Sequence, residues 1–191
     1  MKKLICLVLA SLMLLSLVSC AAFRPQNSPE KIAKAATKAI MKPDTKKFMS
    51  YQLFPADDIL KNKADENGME LDEMLEGFGC ADIDELFDLY DKDSKSHLED
   101  QFRVWKFSDL EVYVYDSDDD EYEDFAENFR EDYGDLADKC GINSGDITSF
   151  CEIWQTIEYG GTIGKEIFYY LLAQYNGKWY VVYPGYENLY R

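Results

Sequence analysis

The sequence holds a single histidine, His97, so no more than one imidazole is on hand for acid–base or metal chemistry. A Ser-His-Asp or Cys-His catalytic set would have to use it. Its setting, Asp93-Ser94-Lys95-Ser96-His97-Leu98-Glu99-Asp100, reads as a polar connector that leaves the ring in solvent. Gly-x-Ser-x-Gly, a phosphate-cradling glycine loop and His-Glu-x-x-His are all absent. Five cysteines are present without a Cys-x-x-Cys pair, which removes the support for a dithiol redox enzyme or a zinc ribbon. Basic residues are scarce: 20 Lys and Arg stand against 37 Asp and Glu, a formal net charge of −17. A surface this acidic repels phosphate backbones and anionic headgroups, which argues against a nucleic-acid partner and against adhesion through a basic patch. No apolar run reaches the ~20 residues that span a bilayer as a helix.

What is there begins with a patterned N-terminus. Lys2 and Lys3 precede an apolar run from Leu4 to Val18, broken only by Ser11 and Ser16, and small residues follow at Ser19, Ala21 and Ala22. That is the charged start, apolar middle and small-residue end of a secretory signal peptide. Leu17-Val18-Ser19-Cys20 resembles the bacterial lipobox. The resemblance implies cleavage between Ser19 and Cys20 and a diacylglyceryl group on the Cys20 thiol, with two or three acyl chains giving stable anchoring at the extracytoplasmic face of the cell membrane. The expected division is a signal peptide over 1–19, a lipidated cysteine and tether over 20–27, and one globular domain over 28–191. Loss of the leader, which carries two lysines and no acid, takes the formal charge to −19. A tether of about seven residues reaches at most ~25 Å.

The chain has 47% apolar and 15% aromatic residues, enough for one folded domain despite its charge. Ser28-Pro29-Glu30 reads as an N-cap, a first-turn proline and a first-turn acid, and Ile32, Ala35, Ala36, Ala39 and Ile40 recur at helical spacing after it. A second helical stretch carries Phe48, Tyr51 and Phe54 and stops at Pro55. Asn67-Gly68 is a turn. Leu71, Met74, Leu75 and Phe78 form a short helix closed by Gly79, and Asp82 caps another with Ile83, Leu86, Phe87 and Tyr90 inward. The pattern changes at Asp91. Gln101–Asp116 is rich in β-formers, with a bulge expected at Ser108-Asp109. Tyr122, Phe125, Phe129, Tyr133 and Leu136 return to helical spacing through Lys139, and strands follow over Thr148–Tyr159, Glu166–Tyr175 and Trp179–Tyr183.

The Asn176-Gly177 turn fixes a hairpin register in which Tyr175 faces Lys178 and each later pair steps back by one, to Leu171 with Val182 and Tyr170 with Tyr183. Alternation then places Tyr170, Leu172, Trp179, Val181 and Tyr183 on one face, and Leu171, Ala173, Tyr180 and Val182 on the other. Both faces are apolar, so the sheet is covered on one side by helices and on the other by a helix, a partner or a ligand cavity. The fold class is α+β, with N-terminal helices on a curved, mostly antiparallel sheet of about four strands ending in a β-meander. This element order over Ser28–Tyr183, with the closing Tyr175-Asn176-Gly177-Lys178-Trp179-Tyr180, resembles small bacterial lipoproteins of the nuclear transport factor 2-like, or cystatin-like, fold. The resemblance implies a cone with an apolar pocket, used for binding in some members and for catalysis in others.

Three further features carry candidate chemistry. Asp116, Asp118, Asp120, Asp124 and Glu127 occupy positions 1, 3, 5, 9 and 12 of a window spaced like an EF-hand loop, although Glu121 replaces the turn glycine. Weak calcium binding, or simply an acidic first turn at the positive end of a helix, accounts for them. Cys140 and Cys151 are spaced for a disulfide worth ~3 kcal/mol; the alternative is buried thiols. The C-terminal aromatics, among them Trp154, Tyr170, Trp179 and Tyr183, are sheet core or the lining of a pocket or partner site, and Tyr186 and Tyr190 are further candidate anchors for a partner. The expected function is a membrane-anchored, extracytoplasmic, non-enzymatic binding or interaction module, without a cofactor, for a small apolar ligand or an envelope protein. The alternatives are a small pocket enzyme using an Asp or Tyr as base, and a weakly calcium-binding structural envelope protein.

Overall fold

The computed structural model describes residues 25–160 and 164–183. The lipobox with Cys20, and Tyr186 and Tyr190, lie outside the described residues. Six helices and one four-stranded antiparallel sheet follow in chain order, which is the expected α+β class. They are α1 (Pro29–Met41), α2 (Thr45–Met49), α3 (Ala56–Glu66), α4 (Leu71–Gly77), α5 (Ile83–Gln101), β1 (Trp105–Asp116), α6 (Asp120–Lys139), β2 (Ile147–Tyr159), β3 (Gly164–Tyr175) and β4 (Lys178–Tyr183). Short 3-10 turns occupy Pro25–Asn27 and Ser144–Asp146. The first of these lies against α1 and β4, so it belongs to the folded body and not to the tether.

Helix starts follow the cap residues. Ser28 Oγ accepts from the Lys31 N–H at 3.3 Å, Asp44 Oδ1 from Lys47 at 3.0 Å and Asp82 Oδ1 from Glu85 at 2.9 Å. Gly79, at φ +73°, ends the Leu71–Gly77 segment in the left-handed conformation that glycine adopts without a Cβ penalty. Three boundaries differ from the sequence reading. The helix begun at Thr45 ends at Met49, because the next residues pair with the sheet edge: Val181 N–H donates to the Tyr51 carbonyl and Leu53 N–H to the Val181 carbonyl, each at 2.9 Å. Helix α3, with Ala56, Ile59, Leu60 and Ala64 at helical spacing, was not anticipated; only Ala64 is fully buried. Helix α5 runs through Asp91 to Gln101, and His97 therefore lies on a helix and not in a connector; its side chain is outside the described residues. Asp91 supports that continuation, its Oδ1 accepting the Thr45 N–H at 2.8 Å and the Thr45 hydroxyl at 2.6 Å and so tying α5 to the start of α2.

The strands lie in the order β1-β2-β3-β4, each antiparallel to the next. The bulge falls at Ser108, where the register shifts between Phe107 and Asp109. Buried Gln155 fills the gap, its Nε2 donating to the Asp109 carbonyl at 2.6 Å. At the last hairpin Asn176 (φ +51°) and Gly177 (φ +69°) make the turn. The pairs Tyr175 with Lys178 through Leu172 with Val181 form as expected, but Leu171 then faces Tyr183. Val182 is the extra residue, and its side chain is buried in the core on the α6 side of the sheet.

Each face of the sheet carries its own core. On one side α1 lays Ile32, Ala33, Ala36 and Ile40 onto Cys151, Ile153, Ile157, Tyr170, Leu172, Trp179 and Val181. On the other side α6 lays Ala126, Phe129, Leu136 and Ala137 onto Ile147, Phe150, Ala173 and Val182, with Leu53 and Phe54 closing the flank. The fully buried hydroxyls of Thr37 and Tyr170 pair at 2.8 Å across the α1 interface. This bond should reveal itself by asymmetry. Tyr170→Phe leaves the Thr37 hydroxyl stranded and is expected to cost ~1–3 kcal/mol, whereas adding Thr37→Val to it should recover part of that loss, because a dry apolar pair needs no partner. Urea unfolding of the two single variants and the double variant measures this; strictly additive losses would show that the hydroxyls do not depend on each other.

Candidate functional site: the open face of the sheet

The face under α1 is filled. Tyr170, Leu172, Val181, Ile153 and Ile157 have no exposed surface, and Trp179 keeps 6%. Tyr170 and Trp179 are thus core residues and do not line a pocket. The side chain of Tyr183 lies outside the described residues. An open cleft of about 530 Å³ lies elsewhere, beyond the β4 edge, between Met49, Gln52, Leu53, Phe54 and Phe87. Its titratable lining residues are Lys46 and Asp84, and these hold each other at 3.1 Å.

The fourth expected aromatic, Trp154, sits on the opposite face. Cross-strand partners share a face, and Trp154 pairs with Glu111 on β1 and Tyr169 on β3. Two residues along, Glu152 pairs with Tyr113 and Leu171, and Phe150 with Tyr115 and Ala173. Helix α6 covers the Phe150 row, stacking Phe125 on Phe150 with ring centres 5.9 Å apart. Beyond that row the face is open. Tyr113 is 48% and Ile167 54% exposed, while Trp154 and Tyr169 are half-buried.

The open face has a defined internal order. The Tyr113 ring meets Trp154 edge-on at 5.6 Å and 83°, and Tyr169 meets it at 5.1 Å and 51°. Glu152 is clamped between two phenols: Tyr169 donates to Oε1 at 2.8 Å and Tyr115 to Oε2 at 3.0 Å. Burial and the carboxylate that accepts its proton push the Tyr115 phenol up to about 12. Further along β2, Glu158 takes both nearby ammonium groups, Lys106 at 3.0 Å and Lys165 at 3.8 Å. Among the described residues no lysine or arginine pairs with Glu152 or Glu111. The patch is aromatic in the middle and has two carboxylates without counter-ions beside it.

Sequence reading grouped Trp154 and Tyr169 with aromatics of the other face, and it passed over Tyr113, Glu152 and Ile167 as site residues. The signal was in the parity of β3. Tyr169 must oppose Tyr170, and a four-residue connection between Tyr159 and Gly164 pairs Trp154 with Tyr169 and not with Tyr170.

The other candidates do not converge. Cys80, Cys140 and Cys151 are free thiols, so the Cys140–Cys151 bridge is not formed. The reason is positional: Cys151 points into the α1-side core, while Cys140, at the end of α6, packs on the other core and donates its S–H to Asp58 at 3.5 Å. The acidic window is not a loop, since α6 begins at Asp120 and carries Asp120, Asp124 and Glu127 along exposed helix. Asp116 ends β1, where its side chain accepts from the Ser149 hydroxyl at 2.5 Å, and its N–H donates to Asp119 at 2.7 Å. Among the described residues no group of three or more His, Cys, Asp or Glu side chains is placed to hold a metal ion. No described helix is long and apolar enough to cross a membrane. Comparison of the chain with protein-family models, curated proteins and solved structures finds no match in any of the three.

The thiols give a test of this packing. Burial pushes Cys151 up to about 12, and burial with the Asp58 carboxylate pushes Cys140 up to about 11. Thiolate is the reactive form, so at pH 8 maleimide should modify Cys151 only after unfolding, and Cys140 far more slowly than a free thiol. Both pKa values rise on folding. The stability linked to them is complete below the ordinary thiol value of 9 and is lost as the pH climbs toward 11 to 12. The urea midpoint should accordingly fall between pH 8 and pH 10.5, and by less in Cys151→Ala; an equal fall in that variant would place the titrating groups elsewhere.

Proposed function

We propose that this protein is an extracytoplasmic lipoprotein, anchored by acyl chains on Cys20, and that it works as a non-enzymatic interaction module through the open face of its sheet. The observation that carries the reading is the half-uncovered aromatic row of Tyr113, Trp154 and Tyr169 with Ile167 beside it, on an otherwise highly charged molecule. Exposed large apolar side chains gathered on one face mark interaction sites more often than they mark ordinary surface. The filled α1-side face favours a macromolecular envelope partner over a small apolar ligand held inside a cone. The element order supports the nuclear transport factor 2-like or cystatin-like reading, with α1 occupying the hollow that other such folds leave for a ligand.

The lipobox supports the address, and the charge supports the orientation. With Pro25–Asn27 in the folded body the tether shortens to about four residues, at most ~14 Å, and an acidic body so close is repelled by anionic headgroups, which turns its working surface toward the envelope. In a bacterial host the chain should take up labelled palmitate and fractionate with membranes, and Cys20→Ser should abolish both; incorporation that survives this substitution would refute the anchor. For the working face, a photo-crosslinking residue placed at position 113 or 167 should capture a discrete envelope protein, while one at position 131, on exposed α6, should not. Equal capture from position 131 would refute the assignment of the face.

A further inference from the structure

The partner's chemistry follows from what surrounds Trp154. Its ring is not part of a flat platform, because the Tyr113 and Tyr169 rings stand at 83° and 51° to it. A sugar chain stacks best on coplanar rings, so this arrangement does not favour a glycan. The electrostatics are equally specific. Glu111 is Trp154's cross-strand neighbour and Glu152 lies two residues along the same strand face, so carboxylates flank the indole on two sides. Glu152 is half-buried and held by two phenols, which fix its position. Lys106 and Lys165, the lysines of this face, are engaged by Glu158, six residues or about 20 Å further along β2. A second copy of the same face would set these carboxylates against each other, and a chain of net charge −17 gives no surplus of base to offset them.

An aromatic surface attracts cations through its ring faces, and a fixed carboxylate beside it that no lysine or arginine engages adds to the attraction. We infer that the open face recognises a cationic segment of a protein partner, seating an arginine or lysine side chain over the Trp154 and Tyr113 rings with its charge toward Glu152 and Glu111. This inference rests on the reading of the open face as the working surface, and it adds the chemistry of the occupant. The stem of a basic side chain covers aromatic carbon while its head reaches the carboxylates, which suits a patch that is apolar in the centre and acidic at the side. Guanidinium fits better than ammonium, because its plane stacks on an indole while its edge donates to a carboxylate.

The test uses a capped peptide of alternating glycine and arginine, and the same peptide with neutral citrulline in place of each arginine. Titration followed through the Trp154 indole resonance should show the arginine peptide bound at least tenfold more tightly than the citrulline peptide. Glu152→Gln, which removes the charge and keeps an acceptor for one of the two phenols while the amide N–H2 faces the other, should weaken arginine-peptide binding about tenfold, and so should Tyr113→Ser at its exposed position. Glu131→Gln on α6 should leave binding within twofold. Equal weakening by Glu131→Gln, or equal binding of the citrulline peptide, would overturn the inference by reducing the effect to overall charge or to apolar contact. Crosslinking from position 167 separates the two claims. Capture of a partner that Glu152→Gln does not diminish retains the face and overturns the cation; loss of capture at 167 overturns the face itself.

Discussion

The arrangement depends on how much of the sheet's second face a single helix covers. Strand β2 has 13 residues and β3 has 12, so each runs ~40 Å, and successive turns of α6 step from Tyr115 on β1 to Phe150 on β2 and on to Phe54, across the strands and not along them. Both faces of these strands carry apolar residues, and both therefore need cover. On the first face α1, α2 and α5 supply it together. On the second, α6 seals the row that Phe150 and Ala173 share and leaves Trp154 half-buried. The open patch is what remains when one helix crosses strands of that length.

Burial sorts the aromatics along that boundary. Tyr170 and Tyr169 are adjacent in sequence and have the same chemistry, yet one is sealed against Thr37 and the other donates to a half-buried carboxylate near solvent. Their difference is the two-residue period of the strand and nothing else. The Glu152 clamp sits at the border, where the α6-covered Tyr115 and the open-face Tyr169 meet. It thus couples the rigid core to the surface patch and holds the neighbourhood of Trp154 in one geometry.

Much of the fold was legible in the residues. Ser28 and Asp82 stand as N-caps, Asn176-Gly177 set the last hairpin, Ser108 marked the bulge, and the apolar alternation of β3 and β4 announced two apolar faces. What the sequence hid had physical causes. Helix α3 is short, its apolar stripe of Ala56, Ile59, Leu60 and Ala64 lies only partly under cover, and the second half of α5 shows no such stripe; they persist through Asp91 and through contacts with neighbouring elements. Tyr51–Leu53 looked helical because Phe48, Tyr51 and Phe54 fit that spacing, but the pairing demand of the β4 edge took the backbone. The candidate site was only half legible. Trp154 stood out as an aromatic, but its company depends on the register between β2 and β3, and Glu152 is one of 37 acids until the two phenols are seen on it.

The central claim is that the uncovered half of the sheet is where this protein meets its partner. Hydroxyl-radical footprinting of the full chain in intact cells, compared with the purified domain, addresses it directly. The account predicts that Tyr113, Trp154 and Ile167 are protected in cells and open in isolation, while exposed positions on α6 react equally in both. Equal reactivity of the open face in both settings, with protection appearing at α6 or at the cleft beside Gln52, would contradict it.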